Sequence, residues 1–246
     1  DIMVEGIDIV LSFDISPSML SEDFKPNRIE AAKKVANEFI DGRPQDRIGL
    51  VIFAGESFTQ CPLTTDHAVL KNLFYKINSD MLEDGTAIGM GLATAINRLK
   101  ESKAKSKVII LLTDGVNNTG TISPMTSAEL AKLYGIRVYT IGVGTYGEAP
   151  YPFKTPFGIQ YQNIPVEIDE ALLKDIAQMT NGKYYRATNN KKLREIYNDI
   201  DKLEKSKIEV TEYHRKKLTY LPWSLLAGII LFGELLLRYT VFKKIP

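Results

Sequence analysis

The sequence predicts an α/β domain, a doubly wound and mostly parallel sheet with helices on both faces, followed by a C-terminal transmembrane helix. Three observations carry that expectation. Near-continuous apolar runs at 7–13 (IDIVLSF) and 107–112 (KVIILL) suit strands buried on both faces. These runs alternate with stretches whose apolar residues recur at helical spacing, the order that gives parallel strands joined by right-handed crossovers. Near the end, 218–237 (LTYLPWSLLAGIILFGELLL) holds a single ionisable group, Glu234.

The first strand, 7–13, ends at Asp14. A helix follows over 28–40, with Ile29, Ala32, Val35, Ala36, Phe39 and Ile40 on one stripe, and Gly42 and Pro44 stop it. The run 48–53 (IGLVIF) is the second strand, and 57–59 can pair with it beyond a turn at Ala54-Gly55. Helices are expected at 66–75 and 87–100, then the 107–112 strand, a helix at 127–134 and a strand at 137–143 (RVYTIGV).

Between 144 and 165 the texture changes. Prolines punctuate Tyr151, Phe153, Phe157 and Tyr161, which reads as an ordered hairpin with Phe157-Gly158 near its turn. It serves equally as a partner surface or as a lid on the domain's own flank. A helix at 169–180 stops at Asn181-Gly182. An edge strand at 183–186 (KYYR) precedes a helix at 189–204, whose Leu193, Ile196, Tyr197, Ile200 and Leu203 dock on the sheet. The expected layout is a domain at 1–205, a juxtamembrane linker at 206–217, a transmembrane helix at 218–242 and a basic tail at 243–246. Twenty residues at 1.5 Å each match roughly the 30 Å hydrocarbon thickness. Aromatic residues flank the span, Tyr220 and Trp223 on one side and Tyr239 and Phe242 on the other. The chain opens Asp1-Ile2-Met3 with no signal peptide, and a mature or trimmed product is expected.

Composition narrows the function. An apolar fraction of 44% and a charged fraction of 25% belong to a globular protein. The 31 basic and 30 acidic residues leave a net charge of +1, so the chain has no electrostatic footprint for nucleic acid. Cys61 stands alone, which excludes an intrachain disulfide or a multi-cysteine metal site.

Chemistry concentrates at strand ends. Asp14-Ile15-Ser16-Pro17-Ser18 leaves the first strand, where alternate residues can converge on one point. One carboxylate and two hydroxyls make a hard oxygen set that suits Mg2+ or Mn2+ better than zinc. Alone, the same residues serve as a turn that bonds its own backbone. Asp84-Gly85-Thr86 precedes a helix, where Thr86 could equally be its N-cap. Thr113-Asp114-Gly115 ends the 107–112 strand and places a second carboxylate at the same sheet edge, where open α/β sheets bind ligands.

D-x-S-x-S, then D-G-T, then T-D-G in this order resembles the metal-ion-dependent adhesion site of von Willebrand factor A domains, over about 6–204. The resemblance implies a Rossmann-like fold and a Mg2+ ion, with Mn2+ or Ca2+ as alternatives. Ser16, Ser18 and Thr86 would ligate it through their hydroxyls, and Asp14 and Asp114 directly or through water. One position would stay open for a Glu or Asp of a protein partner. Pro17 departs from the common pattern, which has glycine there. Proline stiffens the loop and removes an amide. The stretches 24–33 (FKPNRIEAAK), 46–66 (DRIGLVIFAGESFTQCPLTTD), 84–100 (DGTAIGMGLATAINRLK) and 111–118 (LLTDGVNN) are similar to the bacterial BatA/BatB aerotolerance proteins. That similarity implies an inner-membrane protein in an envelope complex linked to stress tolerance. Other Bat-type domains and a MoxR-type AAA+ ATPase system are the implied partners.

The reading is a non-enzymatic binding module. A metal-dependent hydrolase would want a general base beside the ion, and the two histidines, His67 and His214, lie outside the three motif loops. A scaffold whose site stays empty is the third alternative. Basic residues bracket the span on both sides, Arg215, Lys216 and Lys217 before it and Arg238, Lys243 and Lys244 after it, so charge alone does not orient it. The resemblance favours the domain facing the periplasm.

Overall fold

The computed structural model describes residues 6–156, 158–215 and 221–240. Residues up to Lys202 form one compact unit and those from Leu203 onward a second. In the first, strands β1 (Asp8–Asp14), β2 (Arg47–Phe53), β3 (Ser57–Thr64), β4 (Lys107–Thr113), β5 (Arg137–Val143) and β8 (Tyr184–Ala187) make one sheet in the order β3-β2-β1-β4-β5-β8. Every pairing is parallel except that of β3, which runs antiparallel on the edge. The fold is mixed α/β with a mostly parallel central sheet.

The sheet is legible in its side chains. Every residue of β1 is buried, as expected of a central strand covered on both faces. Alternation sends Val10 to one side and Phe13 to the other. Val10, with Phe53, Ile109 and Leu111, packs against α3 (Ile88–Leu99), α4 (Pro124–Leu133) and α5 (Glu170–Met179). On the opposite side Phe13 meets Phe74 of α2 (His67–Tyr75) edge to face at 5.1 Å. There too Phe39 of α1 (Arg28–Asp41) meets Tyr197 of α6 (Asn190–Arg215) at 5.1 Å.

Several boundaries move for physical reasons. Helix α4 starts at Pro124, ahead of the expected 127, because proline at the first helical position gives up no hydrogen bond. Strand β3 runs to Thr64, beyond the expected 57–59, through register shifts that break its alternation. The expected linker at 206–217 is helical through Arg215: the lysines and glutamates after Lys202 are good helix formers, and α6 does not stop. The insertion is a two-stranded antiparallel hairpin, β6 (Glu148–Thr155) with β7 (Gly158–Pro165). Its turn is closed by the Thr155 hydroxyl donating to the Gly158 carbonyl at 2.8 Å, and Phe157 lies outside the described residues.

The second unit contains α7 (Leu221–Thr240). Among the described residues no helix is long and apolar enough to cross a membrane. Glu234 and Arg238 interrupt α7, and its stretch before Glu234 is about 20 Å long at 1.5 Å per residue, against roughly 30 Å of hydrocarbon. The transmembrane helix expected at 218–242 is corrected to that extent; 218–220, 241–242 and the tail 243–246 lie outside the described residues.

Candidate metal centre

Strand register brings the motif loops together. Phe13 is level with Leu112 across the β1–β4 pairing, so Asp14 and Thr113 leave the sheet side by side. The chain crosses from β1 to β2 on one side and reaches β4 on the other, which makes this the switch point where open sheets hold ligands.

Asp14 is buried and held at both oxygens. Its Oδ1 accepts the Ser16 N–H at 2.9 Å and its Oδ2 the Thr113 hydroxyl at 2.5 Å. Ser16 then caps a single 3-10 turn, Pro17–Leu20, in which Pro17 takes the first position and needs no amide. That turn returns Ser18 to the site. The Ser16 and Ser18 hydroxyl oxygens are 3.0 Å apart, and Ser18 donates to Asp114 Oδ1 at 2.7 Å.

Thr86 arrives from the third loop. Ala87 N–H donates to the Ala54 carbonyl at 2.7 Å and Gly55 N–H to that of Glu83 at 2.8 Å, pinning the loop against the β2–β3 turn. Asn118 clamps Thr86 from the other side: its Oδ1 accepts the Thr86 N–H at 2.9 Å and its own N–H donates to the Thr86 carbonyl at 3.1 Å. Thr86 makes no helix cap, since α3 is capped at Ala87 without a side-chain bond. Its hydroxyl is left to face Gly115, where a Cβ would sit 3.3 Å away. Ser18, Thr86 and Asp114 line one pocket of about 280 Å3, which Ile164 and Pro165 at the end of β7 and Val166 just beyond it also line. Asp14 and Ser16 stand behind it. His67 is elsewhere, its Nε2 3.0 Å from the Asp46 carbonyl.

Asn118, Asp23 and Arg28 also shape the site and are not marked as site residues by the motifs. The second asparagine after T-D-G was the one readable signal. Arg28 opens the 28–40 helix within the Bat-like stretch 24–33, where nothing marks it as a site residue.

The donor set fits a hard divalent ion. Among the described residues no group of three or more His, Cys, Asp or Glu side chains could hold a metal, so any ion here would depend on hydroxyls as much as carboxylates. Burial, and then the charge of Asp114, pushes the Asp14 carboxyl up to about 7 against hydrogen bonds from Ser16 and Thr113. Burial also raises Asp114, opposed by Arg28 and Ser18. Two buried acids that repel each other are what a cation would relieve.

A carboxyl raised in the folded state keeps a proton that the unfolded chain has already released. Its contribution to stability is therefore full at low pH and is lost as pH rises through the folded value. In EDTA the melting temperature should fall as pH rises from about 4 to about 7 and level off above that. Asp14→Asn should flatten that slope, which thermal melts across the range would check.

The family model of the von Willebrand factor type A domain matches residues 8–199. The crystal structure of BatB from Bacteroides thetaiotaomicron is 30% identical, with a TM-score of 0.69 over 81% of this chain and 100% of that one. An aerotolerance-related membrane protein from Bacteroides fragilis is also 30% identical, at a TM-score of 0.68 over 79% of this chain and 98% of that one. A mussel byssus protein, proximal thread matrix protein 1 with a zinc-occupied MIDAS motif, is 27% identical at a TM-score of 0.62, covering 81% of this chain and 46% of that one.

Proposed function

Because this chain belongs to the von Willebrand factor type A domain family, with Bat aerotolerance-related proteins as structural neighbours, we propose that it is a metal-dependent protein-binding module. The observation that carries this reading is the chain of contacts from Ser16 to Ser18 to Asp114, through bonds of 3.0 and 2.7 Å, with Ser18 and Asp114 beside Thr86 in one open pocket. In this reading Ser16, Ser18 and Thr86 offer hydroxyl oxygens to the ion, and Asp14 and Asp114 offer carboxylates directly or through water. Mg2+ suits that set, with Mn2+ or Ca2+ as alternatives. The ion supplies an open coordination position for a Glu or Asp of a protein partner, and a charge-assisted contact of that kind is directional. Other Bat-type domains and a MoxR-type ATPase system are the partners we propose. Among the described residues no histidine or cysteine lines the pocket, which favours binding over catalysis.

A Mg2+ titration of the full chain tests the reading. At a hundredfold excess over Kd the ion should add about 2.7 kcal/mol, a rise of roughly 5–10 °C at this chain length. Ser16→Ala should abolish the rise. A melting temperature flat into millimolar Mg2+ in both proteins would sink the proposal.

We also propose attachment to the bacterial inner membrane through the apolar surface of α7, with the domain on the periplasmic side. Ile229 and Phe232 of α7 are 70% and 68% exposed, apolar surface that lipid would cover. Arg238 has a stem long enough to reach a headgroup layer. Sedimentation of the chain with the membrane fraction at physiological salt is the expected result. Release into the supernatant would refute it.

A further inference from the structure

Arg28, the first residue of α1, is 2% exposed and belongs to none of the three motif loops. Its guanidinium reaches two acids at once. Nη1 donates to Asp114 Oδ2 at 2.8 Å, while Nε and Nη2 donate to Asp23 Oδ1 and Oδ2 at 2.7 and 2.8 Å. Asp23 in turn accepts the Thr145 N–H at 2.8 Å and its hydroxyl at 3.2 Å. Space for the guanidinium exists because residue 144 is glycine, where a Cβ would lie 3.0 Å from Nη2. An unpaired charge this deep would be strongly unfavourable. Three buried carboxylates are thus linked, Asp23 and Asp114 through Arg28 and Asp14 through the charge of Asp114, while Glu167 lines the same pocket. Asp114 is divided: Oδ2 is taken by Arg28, and Oδ1 faces Ser18 and the pocket.

We propose that Arg28 is a resident cation of the metal centre, which holds the site together when no divalent ion is bound and weakens the binding of one. The proposal rests on the metal-binding reading above. Arg28 itself lines the pocket and pairs with the Asp114 oxygen that Ser18 leaves free, so its charge stabilises the same acid that an ion would. Charge supplied by the chain lets the domain fold without metal and leaves less for the ion to gain. Without Arg28 the three acids would depend on Mg2+ for neutralisation, and folding and metal binding would become coupled. Arg28 is a positioning residue here, acting on the ion through Asp114.

The test uses the full chain, Mg2+ alone as ligand, thermal melts in EDTA and in saturating Mg2+, and calorimetric titration. Arg28→Gln should melt roughly 10 °C below wild type in EDTA, regain at least half of that deficit in Mg2+, and bind Mg2+ about tenfold more tightly. Arg28→Lys keeps the charge and should bind Mg2+ within about threefold of wild type. Should Arg28→Gln fold in neither buffer, Asp23→Asn decides, because it frees the guanidinium from its own acid. Mg2+ binding should then weaken about tenfold, and unchanged affinity overturns the proposal. If Arg28 merely braces Asp23 and Thr145, Arg28→Gln will lose equal stability in both buffers with no gain in affinity, and the proposal fails while the metal reading stands. No Mg2+ response in wild type overturns the metal reading, and the role of Arg28 with it.

Discussion

Asp114→Ala is expected to lower the melting temperature by roughly 10 °C in EDTA and to abolish Mg2+ binding. The first effect follows from burial. The Asp114 side chain is fully buried against Arg28, itself 2% exposed, so truncation strands one arm of a buried guanidinium and removes the acceptor of the Ser18 hydroxyl. Removing one partner of a buried ion pair costs about 3–5 kcal/mol. The low end applies, because Asp23 still holds the other face of Arg28 and repulsion on Asp14 is relieved. At about 2–4 °C per kcal/mol for a chain of this size, 3 kcal/mol is near 10 °C. Asp114→Asn separates the two effects: its amide oxygen can still accept from Arg28, so most stability should remain while Mg2+ binding is lost. Melts within about 2 °C of wild type for Asp114→Ala would show that the Arg28–Asp114 pair adds nothing.

Gly89→Ala should be nearly as damaging, by a different route. Gly89 is the second residue of α3, and a Cβ there would lie 2.0 Å from the Ile122 carbonyl oxygen and 2.8 Å from the Pro124 nitrogen. Both obstacles are backbone, and α4 begins at Pro124, so the strain cannot be released by a side-chain rotation. The Ser127 hydroxyl donates to the Gly89 carbonyl at 2.8 Å, tying the two helices at this point. Overpacking of this severity costs about 3 kcal/mol or more. The start of α3 must shift, and Thr86, three residues upstream, should shift with it, so Mg2+ affinity should fall about tenfold. Gly42→Ala is the control, since its nearest neighbour is the Phe39 carbonyl at 3.5 Å. Equal melting temperatures for the two variants would contradict the packing described for α3 and α4.

Reading the sequence locates strands better than partners. The runs at 7–13 and 107–112 are strands because they are apolar without alternation, and that same property puts them at the centre of the sheet. Asp14 and Asp114 were legible because each follows such a run. The start of α4 was misplaced because proline within an apparent loop reads as punctuation, whereas at the first helical position it serves as a start. The roles of Arg28 and Asp23 are set by distant parts of the chain. Their partners, Asp114 and Thr145, lie 86 and 122 residues away in the chain. Local pattern carries no information about pairs at that separation, and a lone arginine opening a helix looks like an ordinary solvated residue. The Asn118 clamp on Thr86 is similar, although it spans only 32 residues.

The place of β1 and β4 in the sheet has a mechanical consequence. Any tension applied to Ser18 or Asp114 from outside passes into these two strands, each hydrogen-bonded to a parallel neighbour on both sides. A pull along their axes must slide whole ladders past one another at once, a geometry that resists force far better than peeling an edge. A pull delivered at this pocket would therefore meet the ladders in shear.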